Sequence, residues 1–381
     1  MKRHEAYDLI IVGAGIIGLA TAYYSTKAGL RTLILDRGNA GGGTTSAAAG
    51  MLGVQVELQS RTPLYPLAKE SRRLYAKLAD ELMDQTGTSI GRTVSGAIKP
   101  AFSSEEWEKL NQIEQWQTAS GESVQRLAAT QLYEHLPLLA DGAKGALYFP
   151  EEAHVEPVQA ASAFRQAALL QGAELKSYTD VRALLQTGDR CQGVMSANGE
   201  EFYGEHVILA TGPDAFEPSE DRSFLPIEGV KGEAIRVQAE RPLVTKTLYY
   251  EHFYFVPKPN GETLIGATSK VSRERRTTVH GINEVLQRAQ QLLPEVAHAE
   301  ISKIWAGIRP QTEDDLPSMG PHPSIRKCWI CRGHGRNGIL LAPASGKEMV
   351  AAITSEKMEA LQAFRPDRNI KGGMNREYQS Q

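Results

Sequence analysis

Residues 7–36, YDLIIVGAGIIGLATAYYSTKAGLRTLILD, limit what this chain can fold into more than any other stretch. An apolar strand, DLIIVG, runs into a turn in which Gly13, Gly15 and Gly18 satisfy G-x-G-x-x-G. The following segment, IIGLATAYYSTKAG, predicts a helix closed by Gly29, and RTLILD predicts a second strand, completing a βαβ unit. The three glycines act differently. Gly13 makes the tight turn, Gly15 lets backbone approach a pyrophosphate, and Gly18 permits close helix–strand packing. Asp36 falls about twenty residues on, where a carboxylate takes ribose hydroxyls. Set between two strands and followed by that acid, the glycine pattern predicts dinucleotide binding.

Asp36 disfavours a 2′-phosphate and therefore NADP. Residues 38–53, GNAGGGTTSAAAGMLG, decide between NAD and FAD. Glycines, hydroxyls and small alanines cannot build a core of their own, but they can lie flat against a long planar ligand and offer it hydrogen bonds. A nicotinamide-binding fold would continue here into another helix. A flexible linker would suit residues 41–43, yet it leaves the ordered-looking TTSAAAGMLG unexplained. The run favours FAD.

The chain has 381 residues and a formal net charge of −3, with no basic block, which removes the electrostatic argument for nucleic acid. No apolar run approaches the length of about eighteen residues that a membrane helix needs. The start, MKRHEAYDLIIVGAG, leads into a glycine turn rather than a cleavage site. Three cysteines, Cys191, Cys328 and Cys331, are too few for a disulfide framework, so a reduced cytoplasmic setting is expected. KCWICRG reads as a short buried strand whose two cysteines point to opposite faces, rather than as a redox or metal pair.

Beyond residue 53 the spacing of Leu67, Leu74, Leu78 and Leu82 predicts a helix stopped by Gly87, and SEEWEKLNQIEQWQ predicts another capped by Ser103 or Ser104. Pro157 opens a third. A strand pair turns at Asn198-Gly199, and HVILATG rejoins the nucleotide-domain sheet. From Pro226 to about Ile308 the chain turns to strands, interrupted by one helix, GINEVLQRAQQLL. The fold class is α/β with two domains: a Rossmann-like FAD-binding domain with an inserted antiparallel-sheet substrate domain. The first takes residues 1–53, 151–212 and 311–360; the second takes 54–150 and 213–310; residues 361–381 form a tail expected to be disordered.

A second glycine-rich turn, CRGHGRNGILLAP, holds Gly333, Gly335 and Gly338 within six residues. Taken with IIVGAGIIG, TTSAAAGMLG, HVEP, VILATG, HFYFVP and WAGIRPQTEDDLPSMG, it resembles the FAD-dependent D-amino acid oxidase superfamily, and within it the bacterial glycine oxidases of thiamine-thiazole synthesis. The likeness runs over nearly the whole chain. It implies a flavin held extended between the nucleotide domain and an antiparallel roof, with the second turn beside the isoalloxazine ring. Pro343 is expected in the first turn of a helix beginning near Leu341 or Ala342, whose positive end would face the reduced ring. The implied FAD contacts are Gly13, Gly15, Ile16, Ile17 and Gly18, then Asp36 and Arg37. Thr44, Thr45, Ser46, Ala49, Gly50 and Met51 follow from the small-residue run. Val181, Gly212, His334, Gly335, Arg336, Asn337, Gly338, Ile339 and Leu340 complete them. FAD is expected to be non-covalent and the protein a homotetramer.

Arg309 ends an apolar strand in WAGIRP and needs an anionic partner, because an unpaired buried charge is costly. Two readings compete: an internal salt bridge with Glu313, Asp314 or Asp315, or a bidentate clamp on a substrate carboxylate. The resemblance tips the choice to the clamp. It also implies a second carboxylate contact from Tyr254, which shares a strand face with His252. His252 lines the pocket rather than acting as a base, Arg336 contacts flavin and substrate, and Met51 lies by the ring. No acid–base residue is expected. The implied reaction is oxidation of glycine and related small amines (sarcosine, N-ethylglycine, small D-amino acids) by FAD and molecular oxygen. A dehydrogenase passing electrons to a quinone is the alternative. Ser269 stands where glycine oxidases tend to carry methionine, and Pro213 and Asp214 depart from the usual wall.

Overall fold

The computed structural model describes residues 6–213 and 226–368. Asp214 and the tail from residue 369 lie outside the described residues. Two large sheets organise the rest. The first has eight strands, in the order Ser318–Pro321, Cys328–Arg332, Glu201–Leu209, Tyr7–Val12, Thr32–Leu35 and Glu174–Lys176, with Val181–Thr187 and Arg190–Ser196 attached through Glu201–Leu209. Its central strands run parallel, with Val12 beside Leu35 on one side and Leu209 on the other. Buried on both faces, they read as near-continuous apolar runs, as parallel strands must. Cys328 and Cys331 fall in different core clusters on opposite faces of this sheet.

The helix Ile16–Lys27 ends at Ala28, with Gly29 left-handed at φ +81°. Gly18 allows this helix to pack: a Cβ there would stand 1.9 Å from the Gly13 carbonyl oxygen. Helices Leu64–Thr86, Pro157–Leu170 and Gly338–Ser355 join it in one core, with Leu67, Leu74, Leu78 and Leu82 buried. Helix Leu64–Thr86 was expected to accompany the second sheet. Its apolar face instead enters the first sheet's core, because its best apolar neighbours are helices Gly338–Ser355 and Pro157–Leu170.

The second sheet has nine strands and is mostly antiparallel. Glu228–Gln238 pairs along its length with Glu300–Gln311, and Thr263–Gly266, Phe253–Pro257 and Thr247–Tyr250 continue it to Ala97–Ala101. Three hydrogen bonds tie the small-residue run to it. Thr44 Oγ1 donates to the Ile308 carbonyl at 2.7 Å, Trp305 Nε1 to Ala47 at 3.0 Å, and Lys258 Nζ to Ala49 at 2.9 Å.

Two local expectations are corrected. His252 is not on a strand: with Glu251 it forms the two-residue turn joining Thr247–Tyr250 to Phe253–Pro257, both residues at positive φ as a type I′ hairpin requires. Pro343 is not in a first turn: its helix begins at Gly338, so the proline sits in the interior. A proline cannot bond the carbonyl four residues back. That carbonyl, on Ile339, accepts the buried Tyr75 hydroxyl at 2.7 Å instead.

Candidate active site

Between the two sheets runs one cavity of about 1750 Å³. One end is the first glycine turn. Gly13 takes φ +109°, and a Cβ there would come within 2.4 Å of the Ala210 carbonyl oxygen. Helix Ile16–Lys27 starts with no side-chain cap and no acid in its first turn, so its positive end faces the cavity. Ile16 N–H donates to Thr45 Oγ1 at 3.0 Å, and the Asp36 carboxylate accepts from the Ala14 and Gly38 N–H groups at 2.6 and 2.8 Å. These bonds hold turn, acid and small-residue run as one cradle.

The cradle fits a long flat anionic cofactor. A Cβ at Gly43 or Gly212 would meet nothing within 4 Å, and one at Gly15 would meet only Thr45 Oγ1 at 3.5 Å. The Thr211 hydroxyl, buried in the wall, has no hydrogen-bond partner. Gly13, Gly15, Ile16, Ile17, Asp36, Arg37, Thr44, Thr45, Ala49, Gly50, Met51 and Gly212 all line the cavity. So do His334, Gly335, Arg336, Gly338 and Ile339 of the second turn. Five expected contacts do not. Gly18 is spent on packing, and Ser46 donates to the Gly42 and Gly43 carbonyls. Val181 is buried with Leu35 in the core cluster on the other face of the first sheet. Leu340 points into the helical core, and Asn337 precedes the last helix, outside the lining, without a side-chain bond to its N-terminus. Pro213 and Ser269 belong to the lining.

At the far end the Arg309 guanidinium and the Tyr254 hydroxyl lie together, each perturbing the other's ionisation. Gly232 and Gly266 make room for them: added Cβ atoms would lie 2.5 Å from an Arg309 Nη and 3.1 Å from the Tyr254 hydroxyl. The salt-bridge reading of Arg309 fails. Asp314 binds Arg368 and Asp315 binds Gln311, while Arg309 Nη1 donates to the Thr268 carbonyl at 3.3 Å. Among the described residues Arg309 has no ion pair. Burial holds its guanidinium below its ordinary value, with Tyr254 opposing.

Arg336 joins the same end. Its Nη1 lies 2.7 Å from His252 Nδ1 and 3.3 Å from the Tyr249 hydroxyl, which is itself 3.0 Å from His252 Nδ1. Burial and the neighbouring arginine push the His252 imidazole down to about 3, so it is neutral and its Nδ1 accepts. Met51 is half-buried in the strand Met51–Leu52 and also lines the cavity.

Among the lining residues that escaped the sequence reading are Tyr249, Glu57 and Lys99. Tyr249 lies directly opposite Tyr254, a pairing set by the turn at residues 251–252, which carries no compositional signal. The only signal for Lys99 was a cation inside an apolar strand, Ala97–Ala101, and Glu57 had none.

Residues 8–352 match the DAO family, FAD dependent oxidoreductase. The glycine oxidase of Geobacillus kaustophilus (strain HTA426) is 39% identical over 93% of this chain and 94% of its own. That of Bacillus subtilis (strain 168) is 35% identical over 97% and 98%. A bifunctional protein ThiO/ThiG of Trichormus variabilis is 32% identical over 93% of this chain but only 54% of its own length. The crystal structure of glycine oxidase from Geobacillus kaustophilus aligns with a TM-score of 0.90 at 38% identity, covering 96% of this chain and 100% of that one. With the cradle, the uncapped helix end and these likenesses together, the chain belongs to the DAO family of FAD-dependent oxidoreductases.

Proposed function

We propose that the protein oxidises glycine and related small amines to the 2-oxo acid, ammonia or amine, and hydrogen peroxide. The observation that carries this reading is the Arg309–Tyr254 pair, a cation without an acidic partner at the end of a cofactor-sized cavity. A guanidinium fork matches a carboxylate in two parallel hydrogen bonds. Tyr254 adds a third donor and Arg336 a second charge. FAD held in the cradle would supply the two-electron acceptor, with oxygen as the terminal oxidant. The residues' share is alignment: a carboxylate fixed at Arg309 leaves the α-carbon little freedom, and such positioning is worth several kcal/mol of barrier. The imine product hydrolyses in water. Ser269 at the wall favours tolerance of small N-alkyl groups.

The two-domain division, with residues 54–150 and 213–310 roofing the site, belongs to the same reading, less helix Leu64–Thr86. So do non-covalent FAD, a homotetramer, a cytoplasmic setting and a role in supplying thiamine-thiazole synthesis. The reduced setting draws on the free, buried Cys191, Cys328 and Cys331.

A peroxide-coupled assay in air, comparing glycine, sarcosine, N-ethylglycine, D-alanine and D-proline, tests the proposal. Peroxide from glycine is expected. Silence from a flavin-loaded protein that still reduces a quinone with glycine would replace oxidase by dehydrogenase. Arg309→Lys is expected to raise KM for glycine by about tenfold or more, the loss of one charged hydrogen bond worth roughly 1.5–3 kcal/mol. An unchanged KM would remove the clamp.

A further inference from the structure

Glycine reaches the site as a zwitterion, and its nitrogen must lose a proton before the α-carbon can give up a hydride. The walls around Arg309 contain few groups able to take that proton. His252 Nδ1 already accepts from Arg336. Tyr249 and Tyr254 are held protonated, pushed up first by burial. Glu233 is occupied by Lys231 and by the backbone and hydroxyl of Thr278. Glu106 accepts from Tyr250 and from its own helix cap. Glu57 differs. It ends the short helix Val54–Glu57 on the cavity wall, and its Oε2 is buried with no hydrogen-bond partner.

Three cations offset the carboxylate there, Arg336 first, then Arg309, then Lys99, which is 8% exposed on the strand Ala97–Ala101. Its Nζ donates to the Val56 carbonyl at 3.3 Å, one residue before Glu57, and lies 5.6 Å from the Tyr249 ring centroid. Building on the proposed amine oxidation, we propose that Glu57, with Lys99 as its fixed countercharge, is the catalytic base that takes the proton from the substrate ammonium. The step is R–NH3⁺ plus Glu57–COO⁻ giving R–NH2 plus Glu57–COOH. The N–H bond breaks, an O–H bond forms, and no electrons are exchanged. The carboxylate clamped at Arg309 and the ammonium facing Glu57 are then read by opposite charges at two ends of a small substrate.

The electrostatics support this. Burial pushes the Glu57 carboxyl up to about 7, against the pull of Arg336, Arg309 and Lys99. Tyr249, Tyr254 and Glu152 also sense it. Burial pushes Lys99 down to about 8, with Glu57 supporting its charge. Glu57 is therefore the anion above about pH 7 and a competent acceptor only there. Removing Lys99 would push the carboxyl higher still.

The test is the pH profile of kcat/KM for glycine in the FAD-loaded wild type, Glu57→Gln, Lys99→Met and Lys99→Arg. Glycolate, with hydroxyl in place of ammonium, is titrated in parallel by the flavin absorbance change. Wild-type kcat/KM should rise through about pH 7. Glu57→Gln should lose about 100-fold at pH 7, a typical acid–base contribution, and recover only towards the substrate's own ammonium pKa. Its glycolate affinity should stay within about threefold of wild type, since that ligand brings no proton. Lys99→Met should move the acid limb to higher pH and Lys99→Arg should restore it. A Glu57→Gln profile superimposable on wild type overturns the assignment while leaving the oxidase reading intact. If Glu57→Gln loses glycolate as well, Lys99→Met decides, and an unmoved acid limb overturns the proposal. A wild type silent on glycine overturns both.

Discussion

Gly232 and Gly266 show how much of this site rests on atoms that are absent. Each lies on a strand of the second sheet or at its end, and each leaves out the Cβ that would occupy the space of the Arg309 guanidinium or the Tyr254 hydroxyl. Gly232→Ala is expected to raise KM for glycine about tenfold, roughly 1.4 kcal/mol of lost binding, with a smaller change in kcat. Steady-state kinetics on the FAD-loaded variant checks this, and an unchanged KM would mean that the arginine reaches its ligand from elsewhere. Arg309 was legible as chemistry because a cation in an apolar strand needs an anionic partner, whereas Tyr254 entered only through the family resemblance. The glycines that seat them were not legible, since a glycine in a strand carries no record of which neighbour fills its space. Glu57 was illegible for a related reason: its meaning comes from Lys99 and Arg336, distant in sequence.

At the scale of elements, the helix Gly338–Ser355 carries the main correction. Its start at Gly338 puts an uncapped N-terminus directly against the second glycine turn, closer to the cavity than a start at Leu341 would. The cost is an interior proline, and Tyr75 of helix Leu64–Thr86 offsets it by satisfying the Ile339 carbonyl. Tyr75→Phe should therefore destabilise the protein by about 1–3 kcal/mol, the cost of an unsatisfied buried carbonyl. Denaturant unfolding of the apoprotein measures it, and a change below about 0.5 kcal/mol would show that the helix accommodates Pro343 without Tyr75. Where local chemistry decides, the sequence was a good guide. Ser103 caps its helix through a full capping box with Glu106, and Gly87 closes helix Leu64–Thr86 at φ +67°. His252 was misplaced because a type I′ turn without glycine or asparagine gives no compositional signal.

Over the whole molecule, burial of titratable groups sets a pH dependence of stability. Burial lowers His154, His206, His252 and His334 from 6.5 to about 4, 4, 3 and 3. They stay neutral in the fold, so the stability they contribute is present above about 6.5 and is lost as pH falls. Burial raises Glu57 and Glu152 from 4.5 to about 7 and 8. Their contribution is greatest below 4.5 and is lost as pH rises through 7 and 8. Between 4.5 and 6.5 four histidines oppose two carboxyls, so the histidines win and stability should rise with pH. The apoprotein Tm is therefore expected to peak near pH 6.5 and to fall more steeply on the acid side. Melts across pH 4.5–8 would show this, and a Tm still rising between pH 6.5 and 8 would contradict it.

The amino-acid sequence alone determined the βαβ unit, the glycine turns, the caps at Ser103 and Gly87, and that Arg309 is a cation in need of an anionic partner. Each depends on residues within a few positions, where φ preferences and hydrogen-bond geometry act. Only the tertiary structure decided that helix Leu64–Thr86 packs on the first sheet and that Val181 faces away from the cavity. It also decided that Glu57 and Lys99 share a wall with Arg309. Such outcomes depend on apolar area and charge from segments far apart in the chain, which compete for the same space and leave no local trace.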